Sequence, residues 1–283
     1  MPVIASNGRD VSYDVAGPEG SPLVAFQPPG ASGASIWRRV AAPFQADYRT
    51  VAINPAGYGE TALLSASVPM TVRDEAQALA AVIHTERPDN RGVHVVGHSY
   101  GGTIALALAC YWPDLVARLI LLEPAPYPLL RAAGEAAFAN EISRHNQRFI
   151  ATVRDGGRDA VAMEQYLDYF NNHPGFWRAL SPTAQNNMIA LAERLAIGLD
   201  AVERLDLGFD DLASVAAPTT VIHGAETDPL HARLSALVAN AIPQALLRAL
   251  PGAGHMMTLT HGDDVVALIR EDLGNGPPAK GSI

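Results

Sequence analysis

The chain has 283 residues, 48% of them hydrophobic and 17% charged, enough apolar material for a large core that needs no disulfide or metal to hold it. Cys110 is the only cysteine, so an intramolecular disulfide is excluded. The net charge is −9 with no Lys/Arg run, which argues against nucleic acid or an anionic membrane as partner. The first residues lack a basic head followed by an apolar stretch, and apolar runs such as 115–122 are too short to span a bilayer. The expectation is a cytoplasmic protein.

Taken in chain order, residues 10–16 alternate polar and apolar and stop at Gly17-Pro18, as an antiparallel strand and its turn would. Residues 23–26 form a short apolar run that ends at Pro28-Pro29-Gly30, and 36–44 carry apolar residues at helical spacing. A buried strand at 49–53 is closed by Asn54-Pro55-Ala56-Gly57-Tyr58-Gly59, and an amphipathic helix over 72–85 follows Thr71. The continuous β-branched run at 93–96 predicts a strand covered on both faces; a small-residue helix at 103–110 and a strand at 116–122 follow it. Strands separated by helices imply a parallel sheet, because parallel neighbours need long crossovers.

Residues 124–213 change the rhythm. Helices are expected at 132–138, 143–153, 160–170 and 184–199, with no strand between them and many aromatic residues. A helical insertion of this size reads as a lid over the sheet. The alternation resumes with a strand at 219–223, a helix at 232–241, a strand at 245–250 and a helix from Asp263. The expected organisation is therefore a core formed by 1–123 and 214–273, a lid at 124–213 and a Gly/Pro-rich, frayed tail at 274–283.

The informative motif is Gly97-His98-Ser99-Tyr100-Gly101-Gly102, placed where a buried strand turns directly into a helix. In that context Gly-x-Ser-x-Gly lifts the serine hydroxyl clear of the sheet, and the helix N-terminus offers free N–H groups to a developing negative charge. His98 reads as a packing residue rather than a base, since side chains beside the serine point elsewhere.

Together these stretches resemble the lid-bearing serine hydrolases of the α/β-hydrolase superfamily. Asn54-Pro55-Ala56-Gly57-Tyr58-Gly59-Glu60-Thr61 is similar to that superfamily's Asp-x-x-Gly-x-Gly-x-Ser turn, with Asn54 and Thr61 as departures. Pro251-Gly252-Ala253-Gly254-His255-Met256 is similar to its catalytic-histidine loop, and the resemblance spans residues 10–272. It implies an α/β fold: a mostly parallel eight-stranded sheet with helices on both faces and a helical cap.

A serine hydroxyl needs an adjacent base at neutral pH. His255 alone follows the final strand in a glycine-rich loop; His84, His94, His145, His173, His223, His231 and His261 lie on helices, strands or lid segments. Two carboxylates are candidates for the acid that orients the imidazole. Asp228 lies after the strand at 219–223, the usual position in the superfamily, but four residues past Gly224 rather than three. Glu123 ends the preceding strand, where related haloalkane dehalogenases and zearalenone-type lactone hydrolases carry their acid. Both stay open. For the oxyanion hole, the N–H of Tyr100 is one expected donor. Proline has no N–H, so Gly30 is the first residue of the loop after residue 26 that can supply the second.

The expected function is hydrolysis of a carboxylic ester or lactone of a small apolar or aromatic molecule through an acyl-enzyme. A carbon–carbon bond hydrolase with the same triad, or a ligand-binding receptor that keeps the elbow serine, are the alternatives. No cofactor is expected, and no metal, because no ligand-spaced His or carboxylate set is visible. Monomer and homodimer are both compatible with the sequence.

Overall fold

A computed structural model describes residues 1–63, 69–89, 91–171 and 174–274. His173 and the tail beyond Gly274 lie outside the described residues. Eight strands form one sheet: β1 (Val3–Ser6), β2 (Arg9–Ala16), β3 (Leu23–Gln27), β4 (Arg49–Ile53), β5 (Val93–His98), β6 (Val116–Leu122), β7 (Thr219–Gly224) and β8 (Leu246–Leu250). Their spatial order is β1-β2-β4-β3-β5-β6-β7-β8. The β1/β2 and β2/β4 pairs are antiparallel and all others parallel.

The continuous apolar runs of the central strands follow from coverage on both faces. Successive residues point to opposite sides, so Leu23, Ala25, Val95, Leu119 and Leu121 join one core while Val24, Phe26, Val96, Ile120 and Leu122 join another. The first core is closed by α2 (Val72–Glu86), α3 (Tyr100–Tyr111) and α11 (Pro229–Ala241); the second by α1 (Arg38–Ala41), α12 (Met257–Thr260) and α13 (Gly262–Gly274). Between β6 and β7 run α4 (Pro128–Ala132), α5 (Ala136–Arg154), α6 (Asp159–Phe170), α7 (Phe176–Ala179), α8 (Pro182–Ile189), α9 (Ala192–Glu203) and α10 (Phe209–Ala213). This insertion has a cluster of its own, with Phe149, Met163, Trp177, Leu195 and Leu199 buried together.

Four element boundaries differ from expectation. β1 was not anticipated; Asn7 and Gly8, both at positive φ (48° and 74°), turn it into β2, the Asn-Gly hairpin signal in a stretch too short and polar to read as a strand. The helices expected at 132–138 and 143–153 are re-partitioned: α4 stops before Gly134 (φ 80°), and α5 then runs unbroken to Arg154. The helix expected at 184–199 is instead broken at Ala190–Leu191 into α8 and α9. The segment expected as one helix at 36–44 has only α1 in α-helical form, flanked by 3-10 turns at Ala34–Trp37 and Ala42–Phe44. Among the described residues, no helix is long and apolar enough to cross a membrane.

Candidate active site

β5 passes into α3 through one residue, Ser99, at φ 53° and ψ −116°. Such a conformation is strained for a residue with a Cβ and persists only where surrounding contacts impose it. Those contacts are backbone to backbone. A Cβ on Gly97 would lie 2.3 Å from the Gly101 carbonyl oxygen, one on Gly101 would lie 2.3 Å from that of Gln27, and one on Gly102 would lie 2.9 Å from Pro124 Cα. The Ser99 N–H donates to the Leu122 carbonyl of β6 (2.9 Å), which ties the turn to the neighbouring strand.

His255 sits in the loop after β8. That loop is seated on the end of β7, where a Cβ on Gly224 would lie 2.1 Å from the Ala253 carbonyl oxygen. It is also held by His98, whose Nε2–H donates to the His255 carbonyl (2.8 Å) and whose Nδ1 accepts from the Thr258 hydroxyl (3.1 Å). Burial pushes the His98 ring down to about 3, so it stays neutral and keeps both bonds. The packing residue expected from sequence is thus a clamp on the histidine loop.

The structure brings Ser99, His255 and Glu123 into one hydrogen-bonded chain. His255 Nε2 is 3.1 Å from Ser99 Oγ and its Nδ1 is 2.6 Å from Glu123 Oε2. Glu123 is fully buried at the end of β6, with φ 40°. Its carboxylate also accepts from the Gly224 N–H (2.7 Å) and the Thr227 hydroxyl (3.0 Å). Burial alone would raise its pKa; the hydrogen bond from His255, the nearby imidazole charges and the Gly224 N–H hold it at about 2 instead. His255 itself is lowered, first by burial and then by neighbouring His231, with Glu123 offsetting part of the effect.

Asp228 is not in hydrogen-bond contact with His255. It is the N-cap of α11, accepting from the Leu230 and His231 N–H groups (3.0 and 3.1 Å), and its other oxygen takes His231 Nδ1 at 2.5 Å. Burial would raise this carboxylate, yet the His231 hydrogen bond holds it at about 2. The extra residue after Gly224 places Asp228 just before Pro229, the first residue of α11, so its oxygens turn to the helix's free N–H groups. A second imidazole–carboxylate pair therefore stands beside the first. The His231 and His255 ring centroids are 4.4 Å apart, and His231 Nε2 lies 3.1 Å from the Tyr127 hydroxyl. Sequence reading missed His231 because its partnership exists only once residue 228 is recognised as an N-cap.

Glu123, His231 and His255 offer ligand atoms within 4.8 Å of one another, the spacing of a small metal site, among the described residues. Each donor nitrogen, however, is already engaged: His255 with Glu123 and Ser99, His231 with Asp228 and Tyr127. A cation would have to replace those bonds, so the donor set does not fit a resident metal.

A narrow cavity opens beside Ser99. Gly30 and Tyr100 both line it, as Ser99 does. Tyr166, Arg194, Leu195, Gly198 and Leu199 of the helical insertion line it, together with Tyr58, Met70 and Glu75. Glu75 is buried against Arg9 at 2.8 Å and accepts from the Ala56 N–H at 2.9 Å. That pairing joins residues 66 apart and leaves no local signal in the sequence. Asn54 and Thr61, the departures from the superfamily turn, are structural: Asn54 Oδ1 accepts from the Ala34 N–H (2.8 Å), and the Thr61 hydroxyl donates to the Asn54 carbonyl (2.9 Å).

Comparison with known proteins shows the family. A family model described as "Alpha/beta hydrolase family" matches residues 26–268. A curated relative, 3-oxoadipate enol-lactonase 1 of Acinetobacter baylyi, is 24% identical over 79% of this chain and 77% of its own. Among solved structures, an enol-lactonase from Burkholderia xenovorans superimposes with a TM-score of 0.75 at 18% identity, covering 96% of this chain and 100% of that one. A thermophilic esterase from Thermogutta terrifontis does so with a TM-score of 0.73 at 22% identity, covering 98% and 97%. An elbow serine between a buried strand and a helix, in an eight-stranded sheet of this order, and a family match across most of the length lead to one statement: the chain belongs to the alpha/beta hydrolase family and is a hydrolase.

Proposed function

We propose that Ser99, His255 and Glu123 act as nucleophile, base and acid in the hydrolysis of a carboxylic ester or lactone. The observation that carries this reading is the unbroken chain from Ser99 Oγ to His255 Nε2 (3.1 Å) and from His255 Nδ1 to Glu123 Oε2 (2.6 Å). As Ser99 Oγ attacks the substrate carbonyl carbon, its proton passes to His255 Nε2. Glu123, ionised because its pKa is held at about 2, keeps Nδ1 protonated and stabilises the imidazolium. The oxyanion then faces the N–H groups of Tyr100 and Gly30, each such donor being worth roughly 3 kcal/mol to the transition state. His255 next gives its proton to the leaving oxygen, which breaks the acyl–oxygen bond and leaves Ser99 acylated. Water repeats the sequence to release the acid and restore the serine.

The helical insertion over residues 124–213 acts as a lid in this reading, supplying the apolar and aromatic wall of the cavity. The named relatives, an enol-lactonase and an esterase, support an ester or lactone as substrate. The test is a panel of aryl esters, lactones and vinylogous diketones run with the wild type and Ser99→Ala, beside labelling with a fluorophosphonate. Stoichiometric labelling of Ser99 and turnover of esters or lactones, both abolished in Ser99→Ala, are expected. A folded wild type that takes no label and turns over no substrate would refute the assignment and favour a binding role; turnover confined to the diketones would move the reaction to carbon–carbon cleavage.

A further inference from the structure

The cavity that borders Ser99 is lined by apolar and aromatic side chains together with Glu75 and Arg194. Tyr100 gives its backbone N–H to the proposed oxyanion hole, and its side chain runs along the cavity wall toward α9. There the ring tip meets Gly198: a Cβ added to that glycine would lie 3.5 Å from Tyr100 Cζ. The tyrosine hydroxyl is buried and has no hydrogen-bond partner among the described residues. A buried hydroxyl left without an acceptor costs on the order of 1–3 kcal/mol, so such groups are retained where something else satisfies them.

Beside it on the same wall is Glu75, whose charge acts on the Tyr100 phenol. The charge of Glu75 is balanced by Arg9, both side chains being almost completely buried. The local environment is therefore neutral in sum, with a free O–H donor on Tyr100 and a carboxylate whose remaining lone pairs can accept. An added anion at the Tyr100 hydroxyl would face Glu75, whose carboxylate already holds Arg9. A neutral oxygen, carbonyl or hydroxyl, fits.

Which part of the substrate reaches this place follows from the catalytic geometry. The leaving oxygen must face His255 Nε2 to be protonated, and His255 is not on the cavity wall whereas Ser99 and Tyr100 are. The cavity thus takes the acyl portion.

Resting on the ester-hydrolase reading above, we propose that the Tyr100 hydroxyl and Glu75 form a subsite for an uncharged oxygen function on the acyl chain of the substrate. The natural substrate class is then an oxo- or hydroxyacyl ester, or a lactone bearing such a group, rather than a plain alkanoate or a dicarboxylic half-ester. Tyr100 is a specificity-determining residue through its side chain, independently of its backbone role.

The experiment measures kcat/KM by proton release for methyl hexanoate, for the methyl oxohexanoates with the ketone on the third, fourth or fifth carbon, and for monomethyl pentanedioate. In the wild type at least one oxo ester is expected to exceed methyl hexanoate by about tenfold, the worth of one net hydrogen bond. The half-ester is expected to fall below both. In Tyr100→Phe the oxo-to-plain ratio is expected to drop toward one. An oxo series within about twofold of methyl hexanoate, a preference that survives Tyr100→Phe, or the half-ester as best substrate would each overturn the subsite. The wild-type series decides the matter alone if the variant does not fold. Fluorophosphonate labelling and turnover of methyl hexanoate separate the two levels: an enzyme active by both measures but indifferent to the ketone loses only the subsite, whereas one inert to both loses the hydrolase reading and the subsite with it.

Discussion

At the scale of single residues, the two carboxylates near His255 are separated by what each already holds. Glu123 spends one oxygen on the Gly224 N–H and the other on Thr227 and His255. Asp228 is committed to the first turn of α11 and to His231. In the proposed mechanism Glu123→Gln is expected to lower kcat by three to four orders of magnitude, as loss of the orienting carboxylate does elsewhere, while Asp228→Asn retains activity within about tenfold. Comparable losses in the two variants would contradict this division. Sequence could name both residues but not choose, because the choice depends on a helix N-cap and a loop seated on Gly224, neither of which is a property of the carboxylates themselves. The pH profile carries a further expectation. As the proposed base, His255 would work only when neutral, and burial lowers it below its ordinary value of 6.5, so the acid limb of kcat/KM is expected to have its inflection below that pH. His231 adds to the lowering; His231→Gln is therefore expected to move the inflection upward. Asp228 acts in the opposite sense, so Asp228→Asn is expected to move it down. Rate profiles of the three proteins against pH would settle the signs.

Among elements, the elbow is the one most legible in sequence and the least tolerant of change. Gly97 and Gly101 each face a carbonyl oxygen at 2.3 Å from where a Cβ would stand, and both obstacles are backbone. Gly97→Ala and Gly101→Ala are accordingly expected to destabilise the fold by about 1–3 kcal/mol and to displace Ser99. The measurement is the thermal midpoint together with the rate of fluorophosphonate labelling; unchanged values would show that the turn has slack. By contrast Gly198→Ala brings a methyl group no nearer than 3.5 Å to the Tyr100 ring, an ordinary contact. The central strands were readable for a related reason, since coverage on both faces leaves unbroken apolar runs. The helices of the insertion were readable in number but not in their ends. Gly134 and the Ala190–Leu191 break interrupt or restart them where tertiary packing, rather than any proline inside the helix, decides. β1 was missed although Asn7-Gly8 announces its turn, because four residues with two apolar side chains carry too weak an alternation.

For the molecule as a whole, His94, His98 and His145 are held in the neutral form by their surroundings. Burial lowers His98 to about 3, and His94 and His145 to about 4. In the unfolded chain they bind protons at their ordinary value near 6.5, so between that pH and about 4 the unfolded state carries more protons than the folded one. Stability is therefore expected to be full above pH 6.5 and to fall as the pH drops through this window. The depressed carboxylates Glu123 and Asp228 add a second loss, confined to pH values below the ordinary carboxylate range. Thermal midpoints measured at pH 7.5, 6, 5 and 4 should decline from the first step below neutrality; a midpoint flat down to pH 5 would contradict the burial of these rings.

In the proposed mechanism the reacting side chains and one part of the pocket lining come from different stretches of the chain. Ser99, Glu123 and His255 all stand at or just past strand ends, outside the interval from Pro128 to Ala213 that encloses the pocket from above. That interval enters and leaves the sheet once, between neighbouring strands, and packs around its own cluster of Phe149, Met163, Trp177 and Leu199. A library builder can thus recombine this one contiguous cassette with those of relatives and vary that part of the pocket, while the proposed reacting groups and the lining contributed by Tyr100 and Glu75 keep their original frame.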